Sequence, residues 1–328
     1  MIRWCFFIGV RFIRLATMLT AVCIISFALV RLSPIDPVQA YVGTDLLHVG
    51  PEQRAEIAAY WGLDKPPAEQ FIRWLRALLG GDMGTSMIYR ESVAAVIGDR
   101  FAHSIALMAS AWLLSGAIGF AAGVAAAAKC NSWIDRGIQW YCYTLASTPT
   151  FWLGLLLLMV FAVWLGWFPV GLAVPAGVSA DEVMLSDRIR HMVLPALTLS
   201  VVGIAPVALH TRQKLLDVLD SDYALFARAR GEKGFGLIRR HGLRNIALPA
   251  ITLQFASLSE LFGGAVLAEQ VFSYPGLGQA TVEAGVRGDV PLLLGLVLFS
   301  AVFVVAGNQL ADLIYRVVDP RVREGGAT

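Results

Sequence analysis

Charge is what this sequence has least of. Only 15% of its 328 residues are Asp, Glu, Lys or Arg, and 57% are apolar, against roughly 25% and 45 to 50% in water-soluble domains. That balance excludes an ordinary soluble domain and points to a membrane solvent. A formal net charge of +2 is too small to form a footprint for nucleic acid, so none is expected as a partner. Cysteine is also scarce. Cys5, Cys23, Cys130 and Cys142 fall in or beside apolar stretches, and the long polar segments contain none. Neither a disulfide framework nor a structural zinc site is indicated, and the four are read as small apolar packing residues. The five histidines, His48, His103, His191, His210 and His241, show no ligand-like spacing, so no metal site is predicted. HExxH, GxSxG and GxxxxGK followed by Ser or Thr are all missing. Hydrolase chemistry and ATP binding are therefore not expected in this chain, which is read as a non-enzyme without a cofactor of its own.

What is present in quantity is long apolar runs. Crossing a hydrocarbon layer of about 30 Å takes about 20 apolar residues in a helix, because a helix satisfies its own backbone groups in lipid. Six stretches qualify: Phe12 to Val30, His103 to Ala128, Ile138 to Leu165, Met192 to Leu209, Ile246 to Ala268, and Pro291 to Tyr315. The class predicted is an all-α polytopic membrane protein with six transmembrane helices. The first run follows Arg3, Arg11 and Arg14, is longer than a signal core, and leads into RLSPIDP without a small-x-small site. It is read as an uncleaved anchor. Helix two carries Gly116, Gly119 and Gly123, a small-xxx-small face that lets backbones approach.

Lysine and arginine set the orientation, since they are retained in the cytoplasm. Segments 1–14, 129–137, 210–246 and 316–328 hold 16 basic residues in 73 positions, whereas 31–102, 166–191 and 269–290 hold 10 in 120. Both termini are predicted cytoplasmic. The division expected is 1–102, the anchor plus an external helical segment, and 103–328, a five-helix core with a cytoplasmic loop at 210–246. In the external segment, PEQRAEIAAYWGL and EQFIRWLRALLG are amphipathic and GGDMGTS is turn-rich, which predicts short helices over the outer mouth.

The cytoplasmic loop reads DYALFARARGEKGFGLIRRHGLRNIALP. Tyr223, Phe226 and Ala227 are expected on one helical face, with Arg228 and Arg230 elsewhere and Gly231, Gly234 and Gly236 breaking the helix. Two turns of helix are not stable alone in water, so the element needs a surface to dock on.

These residues resemble the dipeptide, oligopeptide and nickel permeases of bacterial ATP-binding-cassette importers. The family's coupling loop has the form ARAKG, about ten residues, then RHxLRNxxxP. Here ARARG spans Ala227 to Gly231 and RHGLRNIALP spans Arg240 to Pro249. The similarity runs nearly end to end through RLSPIDP (31–37), WGLDKP (61–66), GDMGTS (81–86), STPTFWLGLLL (147–157), HMVLPALTL (191–199), EQVFSYPGLG (269–278) and DPR (319–321). One departure is RFAHSIAL at 100–107, where the family has RLPATLxL, so Ala102 and His103 leave the geometry of that helix end open. Others are Ile35 in place of glycine, and Leu225 and Phe226 where many permeases carry Glu and Ala.

The resemblance implies a type I importer permease fold in the bacterial inner membrane. It also implies a second, related permease subunit, two cytoplasmic ATPase subunits that hold ATP and Mg, and an external substrate-binding protein. Tyr223, Phe226, Ala227, Arg228, Ala229, Arg230, Gly231, Arg240, His241, Arg244, Asn245 and Pro249 then form the ATPase-coupling element. Gly231 is expected in a conformation that suits only glycine, and Pro249 in the first turn of helix five. A carrier or channel without an ATPase is the alternative, and the loop is the feature against it. Glu260 lies 11 residues past Pro249, on the order of 16 Å into the layer. Leu253, Ser257, Glu260 and Gly264 are expected to share one stripe, making Ser257, Glu260 and Gly264 candidates for the translocation path. Nickel-type members resemble this chain in ELxGG at Glu260 to Gly264, which favours chelated metal beside small peptides as cargo.

Overall fold

The structure is a computed structural model that describes residues 2–32, 38, 50–60, 64–175, 177 and 183–318. Residues 33–37 of RLSPIDP, His48, residues 61–63 of WGLDKP and the DPR landmark at 319–321 lie outside the described residues. The described chain is helical. Its helices are α1 (Ile2–Leu32), α2 (Pro51–Tyr60), α3 (Pro67–Leu79), α4 (Val93–Ala128), α5 (Trp133–Ala146), α6 (Thr150–Leu157) and α7 (Leu185–Leu219). They continue as α8 (Asp222–Ala229), α9 (Gly234–Leu237), α10 (Leu243–Ala256), α11 (Leu258–Val271), α12 (Leu277–Arg287) and α13 (Val290–Val318). Wide π-helical turns extend α6 over Leu158–Trp164 and join α9 to α10 over Ile238–Gly242.

All six apolar stretches are helical, but not all as single rods. Among the described residues, Val93–Ala128, Leu185–Leu219 and Val290–Ala311 are each long and apolar enough to cross a bilayer, and Leu15–Leu29 is the apolar stretch of α1. The other two spans are broken. Trp133–Ala146 and Thr150–Trp164 meet at 107°, and Gly234–Ala256 and Leu258–Val271 meet at 51°. Pro149 causes the first break: it disfavours helical backbone at Thr148 and itself sits at ψ 132° before α6. Ser147 and Thr148 donate their hydroxyls to the carbonyls of Tyr143 (3.0 Å) and Thr144 (2.8 Å), satisfying the end of α5.

Helix boundaries also move. α4 begins at Val93, ten residues before the predicted His103, and α7 runs from Leu185 to Leu219 rather than 192 to 209. At 1.5 Å per residue each is over about 50 Å long, so both overrun a 30 Å layer. Ala102 and His103 lie inside α4; without the family's proline the helix continues through them.

The chain forms two compact units, Met1–His103 with Gly276–Val305, and Ser104–Pro275 with Ala306–Thr328. In the first, the amphipathic patterns fold as α2 and α3. Phe71 of α3 stacks edge-on against Phe27 of α1 at 5.2 Å. α3 ends in a Schellman turn, with Gly81 at φ +86° and Asp82 N–H reaching the Ala77 carbonyl at 2.9 Å. Phe101 meets Phe299 and Phe303 edge-on at 5.2 and 5.5 Å. A side chain at Gly295 would strike Val93 at 2.5 Å. The Tyr89 hydroxyl donates to Glu283 at 2.7 Å; burial, then that carboxylate, pushes the phenol up to about 12.

In the second unit, the small face of helix two packs as read. A Cβ at Gly119 would lie 2.8 Å from Val207, and one at Gly123 would lie 2.5 Å from the Ala208 carbonyl, so α4 and α7 touch backbone to backbone. Asp135 of α5 pairs with Arg212 of α7. Cys23 and Cys142 are buried packing residues, as expected, but Cys130 is exposed; it lies in the short turn between α4 and α5.

Candidate functional site: the loop after α7 and the bend of the fifth span

The loop folds as a docked helix followed by a tight reversal. Ala224 and Ala227 are the buried residues of α8, and they sit three apart on one face. Tyr223, Leu225 and Phe226 are exposed, Phe226 by 72%. The expected shared face therefore splits: Ala227 turns inward and Tyr223 and Phe226 outward, because only methyl groups suit the close approach beside α7. Arg228, Ala229 and Arg230 are exposed.

Gly231 ends α8 at φ +91°, as anticipated. Its N–H bonds the Arg228 carbonyl at 2.9 Å and Glu232 N–H bonds that of Ala227 at 3.1 Å, the paired bonds of a Schellman turn. A Cβ there would meet nothing within 4 Å among the described residues, so the demand for glycine is conformational. Gly234 also has positive φ, +59°. Gly236 does not break a helix; it lies within α9.

Glu232, which sequence reasoning missed, organises the second half of the motif. Its carboxylate takes Arg240 Nη1 at 3.5 Å and His241 Nε2 at 3.2 Å. Asn245 Nδ2 donates to the His241 carbonyl at 2.7 Å and to the Tyr223 hydroxyl at 3.3 Å. Tyr223, Arg240, His241 and Asn245 are thus brought together, and the two sequence blocks become one surface. Arg228, Arg230 and Arg244 are exposed without an ion pair among the described residues. The only advance signal for Glu232 was its acidity in a basic loop.

Pro249 is inside α10, not in its first turn. The helix starts earlier than predicted because the π turn carries it on unbroken from Gly234. Ile238 and Ile246 pack with Ala127 of α4 and Leu215 of α7, seating this rod on its neighbours.

The predicted stripe through Leu253, Ser257, Glu260 and Gly264 is interrupted. The 51° bend falls at Ser257, so Leu253 belongs to one rod and Glu260 and Gly264 to the next. Glu260 is exposed in this chain and has no partner among its described residues. Gly264 faces α7, where a Cβ would lie 3.2 Å from Leu199, and the Ser257 hydroxyl donates to the Gln254 carbonyl at 2.9 Å. Further along α11, Glu269 is buried and accepts the Ser104 hydroxyl at 2.6 Å. Tyr274 beyond it is buried too, and its phenol is pushed up to about 12 by burial and then by the Glu269 charge. Among the described residues no three His, Cys, Asp or Glu gather as an ion site.

The long apolar helices make this a polytopic membrane protein. Residues 119–324 match the family described as binding-protein-dependent transport system inner membrane component, and the chain belongs to that family. It is 36% identical over 307 residues to the oligopeptide transport system permease protein AppB of Bacillus subtilis (strain 168), covering 93% of this chain and 95% of that one. It is 35% identical over 317 residues to the di/tripeptide transport system permease protein DppB of Pseudomonas aeruginosa (strain UCBPP-PA14), covering 92% and 94%. The protein is a multi-pass inner-membrane permease subunit of an ATP-binding-cassette importer, with the all-α type I fold that the resemblance implied.

Proposed function

We propose that this permease carries small peptides across the inner membrane and takes its energy from a separate cytoplasmic ATPase through residues 222–249. The observation that carries the coupling reading is the exposed surface of α8 and the turn after it. Leu225, Phe226 and Phe235 expose large apolar side chains beside Arg228 and Arg230, although the loop's own fold has already buried Ala224 and Ala227. Aromatic and arginine residues together suit a protein partner. Peptide as cargo is supported by the names of the two relatives.

On this reading two ATPase subunits hold ATP and Mg, an external binding protein delivers the peptide, and a second permease, related but distinct, completes the pore. Both termini and the loop face the cytoplasm. Glu260 stands on the path, with Ser257 and Gly264 near it. A second cargo, a metal chelate, is favoured by the Glu260 to Gly264 sequence ELFGG, since one carboxylate suits either a peptide ammonium or a chelated cation.

Replacing Gly231 by Leu tests the coupling. A side chain at φ +91° costs about 1 to 2 kcal/mol and alters the surface offered to the ATPase. Peptide uptake should be lost while the protein remains in the membrane. Wild-type ATP-dependent uptake by Gly231→Leu, or full uptake with no ATPase present, would instead indicate a carrier or channel.

A further inference from the structure

Span five is two rods, and the joint between them is tied down by an unusual pair. The first rod runs from Gly234 through the π turn to Ala256, and the second from Leu258 to Val271. The last carbonyls of a helix have no partner within it. One of them, that of Gln254, accepts the indole N–H of Trp112 at 2.8 Å and the hydroxyl of Ser257 at 2.9 Å. The Gln254 side chain answers in kind: its Nε2 donates to the Trp112 carbonyl at 2.7 Å and to the Ser115 hydroxyl at 3.1 Å. Each of the two residues thus bonds the other's backbone with its own side chain. The Trp112 ring also lies 5.0 Å from that of Phe255. Gly116 gives the amide room, since a Cβ there would be 3.2 Å from Gln254 Cδ.

This arrangement is costly for a buried site. Gln254 is 6% exposed, and its Oε1 has no hydrogen-bond partner among the described residues, which is unfavourable in an apolar bundle. Leucine would fill the same space without that penalty. What the amide supplies and leucine does not is direction: two bonds to one turn of α4, made at the last turn of α10.

The position explains why direction matters. A displacement imposed at residues 222–249 travels along the first rod, but a free joint at Ser257 would absorb it by bending. Glu260 stands in the first turn beyond that joint. We infer that the reciprocal Trp112–Gln254 pair locks the bend at Ser257, so that movement of the coupling loop reaches α11 and the Glu260 carboxylate. Gln254 and Trp112 are positioning residues in transport. The inference rests on the coupling role proposed above for residues 222–249.

Two measurements on the complete importer separate the lock from the coupling. Nitroxide labels at Leu248 and Leu267, both exposed and one on each rod, report the bend by pulsed electron resonance. The distance distribution should be narrow in an otherwise wild-type background and broad in Gln254→Leu and in Trp112→Phe, which keeps an aromatic ring but removes the N–H. In proteoliposomes with the binding protein and a labelled tripeptide, uptake per ATP hydrolysed should fall about fivefold in each variant. The double variant should be no worse than the worse single one. Thr252→Val, which removes only a hydroxyl bonded within its own helix, should leave both readings unchanged. An unaltered narrow distribution in both variants overturns the lock. Broadening without a change in uptake per ATP, in a complex that Gly231→Leu does uncouple, overturns transmission through it. If Gly231→Leu also leaves that ratio unchanged while the labels broaden, the lock stands and the coupling role of the loop is what has failed.

Discussion

Arg212 closes on Asp135 with two parallel hydrogen bonds, Nε to Oδ1 at 2.6 Å and Nη2 to Oδ2 at 2.8 Å. The carboxylate also accepts the Asn131 backbone N–H at 2.9 Å and Gln139 Nε2 at 2.8 Å. It is 1% exposed, so this is a fully bonded, two-pronged ion pair that joins the first turn of α5 to α7. Its weight lies in what breaking it would leave behind, a buried charge with no counterpart.

Asp135→Asn is therefore expected to destabilise the solubilised protein by about 3 kcal/mol. Melting of wild type and Asp135→Asn in the same detergent should show the variant unfolding at clearly lower temperature. Equal melting temperatures would contradict this account.

The orientation reading predicts opposite sides for α3 and the loop after α8. In a cysteine-free background, cysteine at Glu69 should react with an impermeant thiol reagent added to spheroplasts. Cysteine at Lys233 should react only once the membrane is opened. Lys233 is exposed and is preferable to its neighbour Glu232, whose ion pairs hold the loop together. Labelling of Lys233→Cys from outside reverses the topology.

Glu260→Gln removes a charge at nearly constant volume. If the carboxylate faces the path, assembly with the other subunits should be normal, while uptake of a cationic tripeptide should slow by about tenfold. A neutral peptide should be less affected. Wild-type uptake by the Gln variant together with failed assembly of Glu260→Ala would assign the residue to subunit packing instead.

Asp289 is fully buried at the start of α13. Its Oδ1 accepts the Leu292 N–H at 3.1 Å, and its Oδ2 accepts the Ser86 hydroxyl at 2.6 Å and the Ile88 N–H at 3.0 Å. One side chain thus caps a helix and anchors a loop some 200 positions away in sequence. Asp289→Ala should cost about 2 to 3 kcal/mol and expose the 86–90 turn to protease. An unchanged melting temperature and cleavage pattern would refute the anchoring role.

Much of this was legible in the chain. Six apolar runs announced six helical spans because hydrophobic composition acts over about 20 neighbouring residues. The Gly119 and Gly123 face announced close packing, and Gly231 announced its left-handed turn. Less was legible where local rules compete. Pro149 carried a readable signal for the break in the third span, but the apolar run on either side of it outweighed that signal. The stretch around Ser257 holds neither proline nor glycine, and nothing in it announces a 51° bend.

By itself, then, the sequence determined the solvent, the number of spans and the family loop, all properties of adjacent residues. Tertiary structure alone decided which way the broken spans point, which alanines of α8 are hidden, and which polar groups meet. Ser104 reaches Glu269 across 165 positions, Trp112 reaches Gln254 across 142, and Arg212 reaches Asp135 across 77. Partners so distant are chosen by how the helices pack. A buried polar group in an apolar bundle must find a bond wherever that packing places one.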